Sequence, residues 1–142
     1  MKKIIFIVFV FCFSMFFITA KAEGDKFLSA LRNCSQFSDT DVVNVNGIDA
    51  KSYKQMTGWE NDKCTYKETV MFGPNKITTT CRFSKPQIKE IVSVADAYYL
   101  TLKYTNHDID LSSTDAVKNN PVVVVMNKYL QDPTVCTMTG LE

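Results

Sequence analysis

Beyond its first 22 residues this chain has no long hydrophobic run. A membrane-crossing helix needs about 20 apolar residues to span about 30 Å of hydrocarbon, and nothing later in the chain supplies them. No run of like charges occurs, which removes the usual signature of a nucleic-acid or anionic-membrane partner. No serine stands in G-x-S-x-G or S-x-x-K, so nucleophilic serine chemistry has no support. C-x-x-C is missing, and with it a thioredoxin-like redox role. There are no internal repeats, low-complexity segments or linkers. Histidine and tryptophan occur once each, at His107 and Trp59.

What is present begins with an export signal. Lys2 and Lys3 form a positive start, and Ile4 to Ile18 is apolar except for Ser14. Ala20-Lys21-Ala22 then offers small residues at both key positions of a cleavage site. Residues 1–22 are therefore expected to be a cleaved secretory signal, with residues 23–142 as one small domain. Its apolar run is shorter than a membrane span, and no stable membrane insertion is expected after cleavage. Cys12 follows Val10-Phe11 inside that run, so it does not fit lipoprotein processing. Loss of Lys2, Lys3 and Lys21 from the 16 basic residues leaves 13 against 15 acids, a net charge of −2. The expected location is the periplasm or the exterior.

The cysteines agree with that location. With Cys12 removed, Cys34, Cys64, Cys81 and Cys136 remain, an even set that reads as two disulfides in a small exported chain. A zinc site needs close cysteine pairs, and the nearest two here are 17 positions apart. No metal and no cofactor is expected.

Asp25 to Asn33 is expected as a short helix, capped by Asp25, with Phe27, Leu28, Leu31 and Cys34 on one face. Strands follow. Val43 and Val45 lead into an Asn46-Gly47 turn. Lys51 to Trp59 is the second strand, with Tyr53, Thr57 and Trp59 assigned to one face and Trp59 to the core. Glu60 to Lys63 is a turn by composition. Cys64, Tyr66, Val70 and Phe72 alternate with Thr65, Lys67 and Thr69. Beyond Gly73-Pro74-Asn75, Ile77, Thr79, Cys81 and Phe83 alternate with Thr78, Thr80 and Arg82. Ser84, Pro86 and Gln87 mark a helix start, and apolar residues from Ile88 to Leu102 recur at helical spacing to about Tyr104. Tyr98 and Tyr99 on it are read as packing residues. After a polar loop over Thr105 to Ser113, the β-branched run Val122 to Val125 favours strand, but Asn120-Pro121 and the stripe Val122, Val125, Met126, Tyr129, Leu130 favour helix. Helix is the reading taken, ended by Asp132-Pro133, with Val135 to Thr139 a candidate short last strand. The fold class is α+β: a four-stranded antiparallel meander with helices packed on one face, disulfide-stapled.

Followed end to end, this layout gathers all four cysteines at one end. With Pro74-Asn75 as a two-residue turn, Cys64 faces Lys85 and Cys81 faces Glu68, four residues out of register. That separation, roughly 13 Å at about 3.3 Å per residue, disfavours a Cys64–Cys81 bridge. Cys34 and Cys136 should each pair with one of them, in an order left open. The opposite end carries the loops at Asn46-Gly47, Gly73-Pro74 and Thr105 to Ser113, and is the expected place for binding.

His107 with Asp108 and Asp110 is the one candidate cluster for binding, acid–base chemistry or a weak metal site, the competing reading being a solvated loop. The run from Asp108 starts like a calcium loop but has Ser113 where glycine belongs and Asn119 where glutamate belongs. Asn33-Cys34-Ser35 is formally a glycosylation sequon, with its middle cysteine expected in a bridge. Nothing singles out a carboxylate pair, and no catalytic residue is assigned. The function expected is an exported binding or interaction module for an unknown protein or small-molecule partner. The alternatives are a hydrolase-type enzyme using loop residues around His107, and a structural component of a cell-surface assembly.

Overall fold

The computed structural model describes residues 21–45, 47–109 and 113–140. All of the expected signal except Lys21 and Ala22 therefore lies outside the described residues, as do Asn46 and Asp110. The first helix, α1, runs Lys21–Asn33. Asp25 lies within it, so the helix begins before Asp25, a correction to the expected start. Phe27, Leu28, Leu31 and Cys34 are buried, as the spacing required, and Ala30 is buried with them. The helix ends in a Schellman turn, with Cys34 N–H donating to the Leu31 carbonyl and Ser35 N–H to that of Ala30. Cys34 takes the left-handed conformation there, φ 47°, a position glycine usually fills.

Five strands follow in spatial order β1 to β5, every neighbouring pair antiparallel. They are β1 Phe37–Val45, β2 Ile48–Glu60, β3 Lys63–Phe72, β4 Asn75–Phe83 and β5 Cys136–Thr139. The expected meander of four thus gains a fifth strand, which lies along β4. Asn61 and Asp62 both have positive φ in the two-residue turn between β2 and β3, which suits their tolerance of that region. Between β3 and β4 the turn residues are Gly73 and Pro74, since Phe72 pairs with Asn75. This corrects the expected Pro74-Asn75 turn. Gly73 supplies the positive φ, 55°, that the first turn position needs, and Pro74 adds no donor to the ladder.

The one-residue shift of the turn resets the cysteine register. Cys64 faces Phe83 and Cys81 faces Tyr66, so the offset is two residues and not four. The bridges are Cys34–Cys64 and Cys81–Cys136, with Cα separations of 5.7 and 4.1 Å. Cys64 and Cys81 are not joined to each other. Both bridges lie near the end of the sheet that carries the β2–β3 turn.

Three more helices follow, of which the first and last share one core with α1 on the same face of the sheet. They are α2 Lys85–Thr105, α3 Thr114–Lys118 and α4 Pro121–Leu130. Gln87 Oε1 accepts from Ser84 N–H at 2.7 Å, the reciprocal half of the expected cap. Asn120, buried, caps α4 by accepting from Val122 N–H at 2.9 Å. Helix therefore wins over β-propensity in Val122–Val125, because Val122, Val125, Met126 and Tyr129 bury one stripe. α2 lies against both α1 and α4. Arg32 joins Asp96 at 2.9 Å across the first contact, and Lys128 joins Glu90 at 2.8 Å across the second. Among the described residues no helix is long and apolar enough to cross a membrane.

Candidate functional site

His107 follows the end of α2. Its N–H donates to the Leu102 carbonyl at 3.1 Å, one residue past Asn106, whose φ of 52° turns the chain out of the helix. The His107 and Asp108 side chains are both exposed, and Asp110 lies outside the described residues. Among the described residues no group of three His, Cys, Asp or Glu is placed to hold a metal ion. The cluster read from the sequence is thus represented by two solvated side chains.

The covered face of the sheet holds a group that sequence reading passed over. Four polar residues, Asp39, Lys54, Glu68 and Thr79, pair side by side in one row across β1 to β4. Lys54, Glu68 and Thr79 are fully buried. Lys54 Nζ meets Asp41 Oδ2 at 2.6 Å, at the margin where Asp41 retains some solvent contact. Glu68 accepts from Ser52 Oγ at 2.6 Å and from Tyr66 Oη at 3.2 Å. Burial pushes the Glu68 carboxyl above the usual carboxylate range, against the opposing pull of the Ser52 bond, the Lys54 charge and the Tyr66 bond. Burial also raises the Tyr66 phenol, with Glu68 adding to it. Thr79 Oγ1 has no hydrogen-bond partner among the described residues. This row divides the apolar interior. The main cluster lies toward the bridges, and Ala50, Val70 and Phe72 form a small one beyond it. Chemically the row can hold a proton, but it presents no exposed reacting group.

Among the described residues no helix lies on the other face of the sheet. Strand alternation puts Val42, Tyr53 and Met71 there, 59%, 43% and 41% exposed. Register places Val42 and Met71 on either side of Lys51, with Tyr53 one row further toward the bridges, between Thr40 and Thr69. All three lie nearer the β1–β2 and β3–β4 turns, at the end away from both bridges. Thr69 and Thr78 join their hydroxyls at 3.1 Å beside Tyr53. This is a rigid, hydrogen-bonded platform with large apolar groups left in water, an arrangement typical of interaction sites when the groups are contiguous.

Trp59 belongs to neither place that its sequence position suggested. The ladder slips between Met56 and Gly58, where Thr57 is the extra residue and Gly58 has φ 106°. The bulge reverses alternation, so Trp59 pairs with Cys64 on the helix side and Tyr53 points the other way. Trp59 is nonetheless 43% exposed, with Lys85 Nζ 5.6 Å from the ring centroid. Core packing is therefore corrected for both aromatic residues.

No protein-family model matches the chain, and no curated protein or solved structure matches it either.

Proposed function

We propose that the mature chain is an exported interaction module, and that it binds its partner through the uncovered sheet face around Tyr53. The observation that carries this reading is the grouping of Val42, Tyr53 and Met71 on that face, near the end without bridges. An antiparallel sheet open to water on one side ordinarily shows polar side chains there. Tyrosine and methionine are enriched in the central parts of protein interfaces. The two disulfides are consistent with an oxidising compartment, and a folded sheet surface needs little further ordering on binding.

Native mass spectrometry of the unreduced chain, purified from its own compartment, tests this. The expected spectrum shows mature chain carrying extra mass that leaves on denaturation. A Tyr53→Ala/Met71→Ala variant should lose that mass while keeping its wild-type circular dichroism, since losing two central contacts costs about 1–2 kcal/mol each. Bound mass retained in the folded double variant would show that the surface lies elsewhere.

A further inference from the structure

We propose that the uncovered sheet face docks the acidic surface of a protein partner; this rests on the interaction-module reading and gives its partner a chemistry. Register distributes the charges. Lys51, Lys63, Lys67, Lys76 and Arg82 fall on the uncovered face, and its acids are Asp49 and Glu60. Both acids sit at the tips. Asp49 adjoins the β1–β2 turn, where its Oδ1 accepts from Asn44 Nδ2 at 2.8 Å. Glu60 pairs with Lys63 across the β2–β3 turn.

Between the tips, the described residues of the face present Lys51, Lys67, Lys76 and Arg82 and no carboxylate. β1 adds Ser38, Thr40, Val42 and Asn44 there, and β5 adds Thr137 and Thr139. All four cations are exposed. The three ion pairs among the described residues use Arg32, Lys54 and Lys128, none of them on this face. A domain expected to be net negative thus gathers unpaired positive charge on one surface. An anionic partner would relieve that repulsion and be steered toward the surface at long range.

The rows decide which kind of anion fits. Val42, Lys51, Met71 and Lys76 alternate apolar with cationic across four strands, at about 4.8 Å per strand. Tyr53 stands in the next row. A bare polyanion would use the cations and leave Val42 and Met71 wet. Single-stranded nucleic acid stacks successive bases on several aromatic rings, and among the described residues this face has Tyr53 alone. Anionic membranes take an amphipathic helix that buries its apolar face, whereas these side chains lie half covered on a sheet. A protein surface with carboxylates set among apolar side chains complements both halves of the pattern.

The test titrates the chain, both bridges formed, with a random glutamate–tyrosine copolymer, polyglutamate, heparin and phosphatidylglycerol vesicles. The copolymer should bind best and weaken with added salt. Lys51→Glu/Lys76→Glu should reduce its affinity about tenfold or more. Lys89→Glu/Lys118→Glu makes the same charge change on helices and should leave the affinity within about twofold. Circular dichroism verifies that both variants fold. Heparin or vesicles binding as tightly, with the same sensitivity to Lys51→Glu/Lys76→Glu, would overturn the acidic-protein assignment. So would equal losses in the two charge variants, which would mean net charge alone. If Tyr53→Ala/Met71→Ala releases the native partner and Lys51→Glu/Lys76→Glu retains it, the partner is not acidic, but the interaction-module reading stands.

Discussion

Gly140 and Glu68 are the two positions where one side chain decides most. Gly140 follows β5 with φ +91°, and a Cβ there would come within 2.0 Å of the Lys76 carbonyl oxygen. Backbone, not a flexible side chain, stands in the way. Gly140→Ala should therefore cost about 1–3 kcal/mol, read as a lower urea midpoint; an unchanged midpoint would show that the chain end is not seated against β4. Glu68 makes a signed prediction about pH. Burial raises its pKa in the folded chain, so the folded state holds that proton more tightly than the unfolded one. Its contribution to stability is complete below the usual carboxylate range and is lost as pH rises through the raised value. Glu68→Gln keeps an acceptor for Ser52 and Tyr66 without the charge, and should gain stability relative to wild type as pH rises. Glu90 is the opposite case, because hydrogen bonds from Lys128 and Tyr129 hold its carboxyl low. Its contribution is present above the usual range and fades on acidification. Melting temperatures of Glu68→Gln and Glu90→Gln from about pH 4 to pH 8 should diverge in opposite directions; parallel curves would refute the assignment. Glu68 was legible in part. It stands between Tyr66 and Val70 in the β3 alternation, on the buried side, but alternation does not reveal that Ser52, Lys54 and Thr79 arrive from neighbouring strands to meet it.

At the scale of elements, local signals worked where the chemistry was contained in a few consecutive residues. Ser84, Pro86 and Gln87 announce α2, and Asn120-Pro121 outweighs four valines to announce α4. The α4 cap can be tested directly. Asn120 is buried and its side chain serves Val122 N–H, so Asn120→Ala leaves that donor without its partner. The expected cost is about 1–2 kcal/mol, while Asn120→Asp, which retains the acceptor, should cost less. Equal losses by chemical denaturation would mean that the cap bond contributes little. Reading failed where a single residue changes phase. The bulge at Thr57 and the one-residue displacement of the β3–β4 turn each move every later position, which is why Tyr53 and Trp59 lie on opposite faces and Cys64 faces Phe83, not Lys85. The inward residues of β2 are Ala50, Ser52, Lys54 and Met56, a set without an aromatic side chain, whereas Tyr53 lies on the outer face. Aromatic residues therefore did not mark the inward face. No local pattern shows this, since the Lys54 charge is met inside by Asp41, which comes from β1.

Across the whole molecule the two bridges divide the labour unevenly. Both gather toward one end, as chain tracing from the sequence expected, and their loops separate residues by 30 and 55 positions. Loop entropy alone would make them nearly equal, about 4 kcal/mol each. What they hold differs. Cys34–Cys64 ties the left-handed end of α1 to the start of β3, next to the main apolar cluster. Cys81–Cys136 ties the four-residue edge strand β5 to β4, close to where Gly140 lies against Lys76. Opening the second bridge should therefore release β5 locally before it unfolds the rest, because short edge strands have few contacts to retain them. Opening the first should loosen α1 and expose Phe27 and Leu31, which are fully buried. Hydrogen exchange can separate the two cases. In Cys81→Ala/Cys136→Ala, amides of β5 should lose protection while those of β3 retain most of theirs. In Cys34→Ala/Cys64→Ala, protection should fall in α1 and β3 together. If both variants lose protection evenly across the domain, the bridges act only through the unfolded chain, and the sheet face around Tyr53 would depend equally on both for its rigidity.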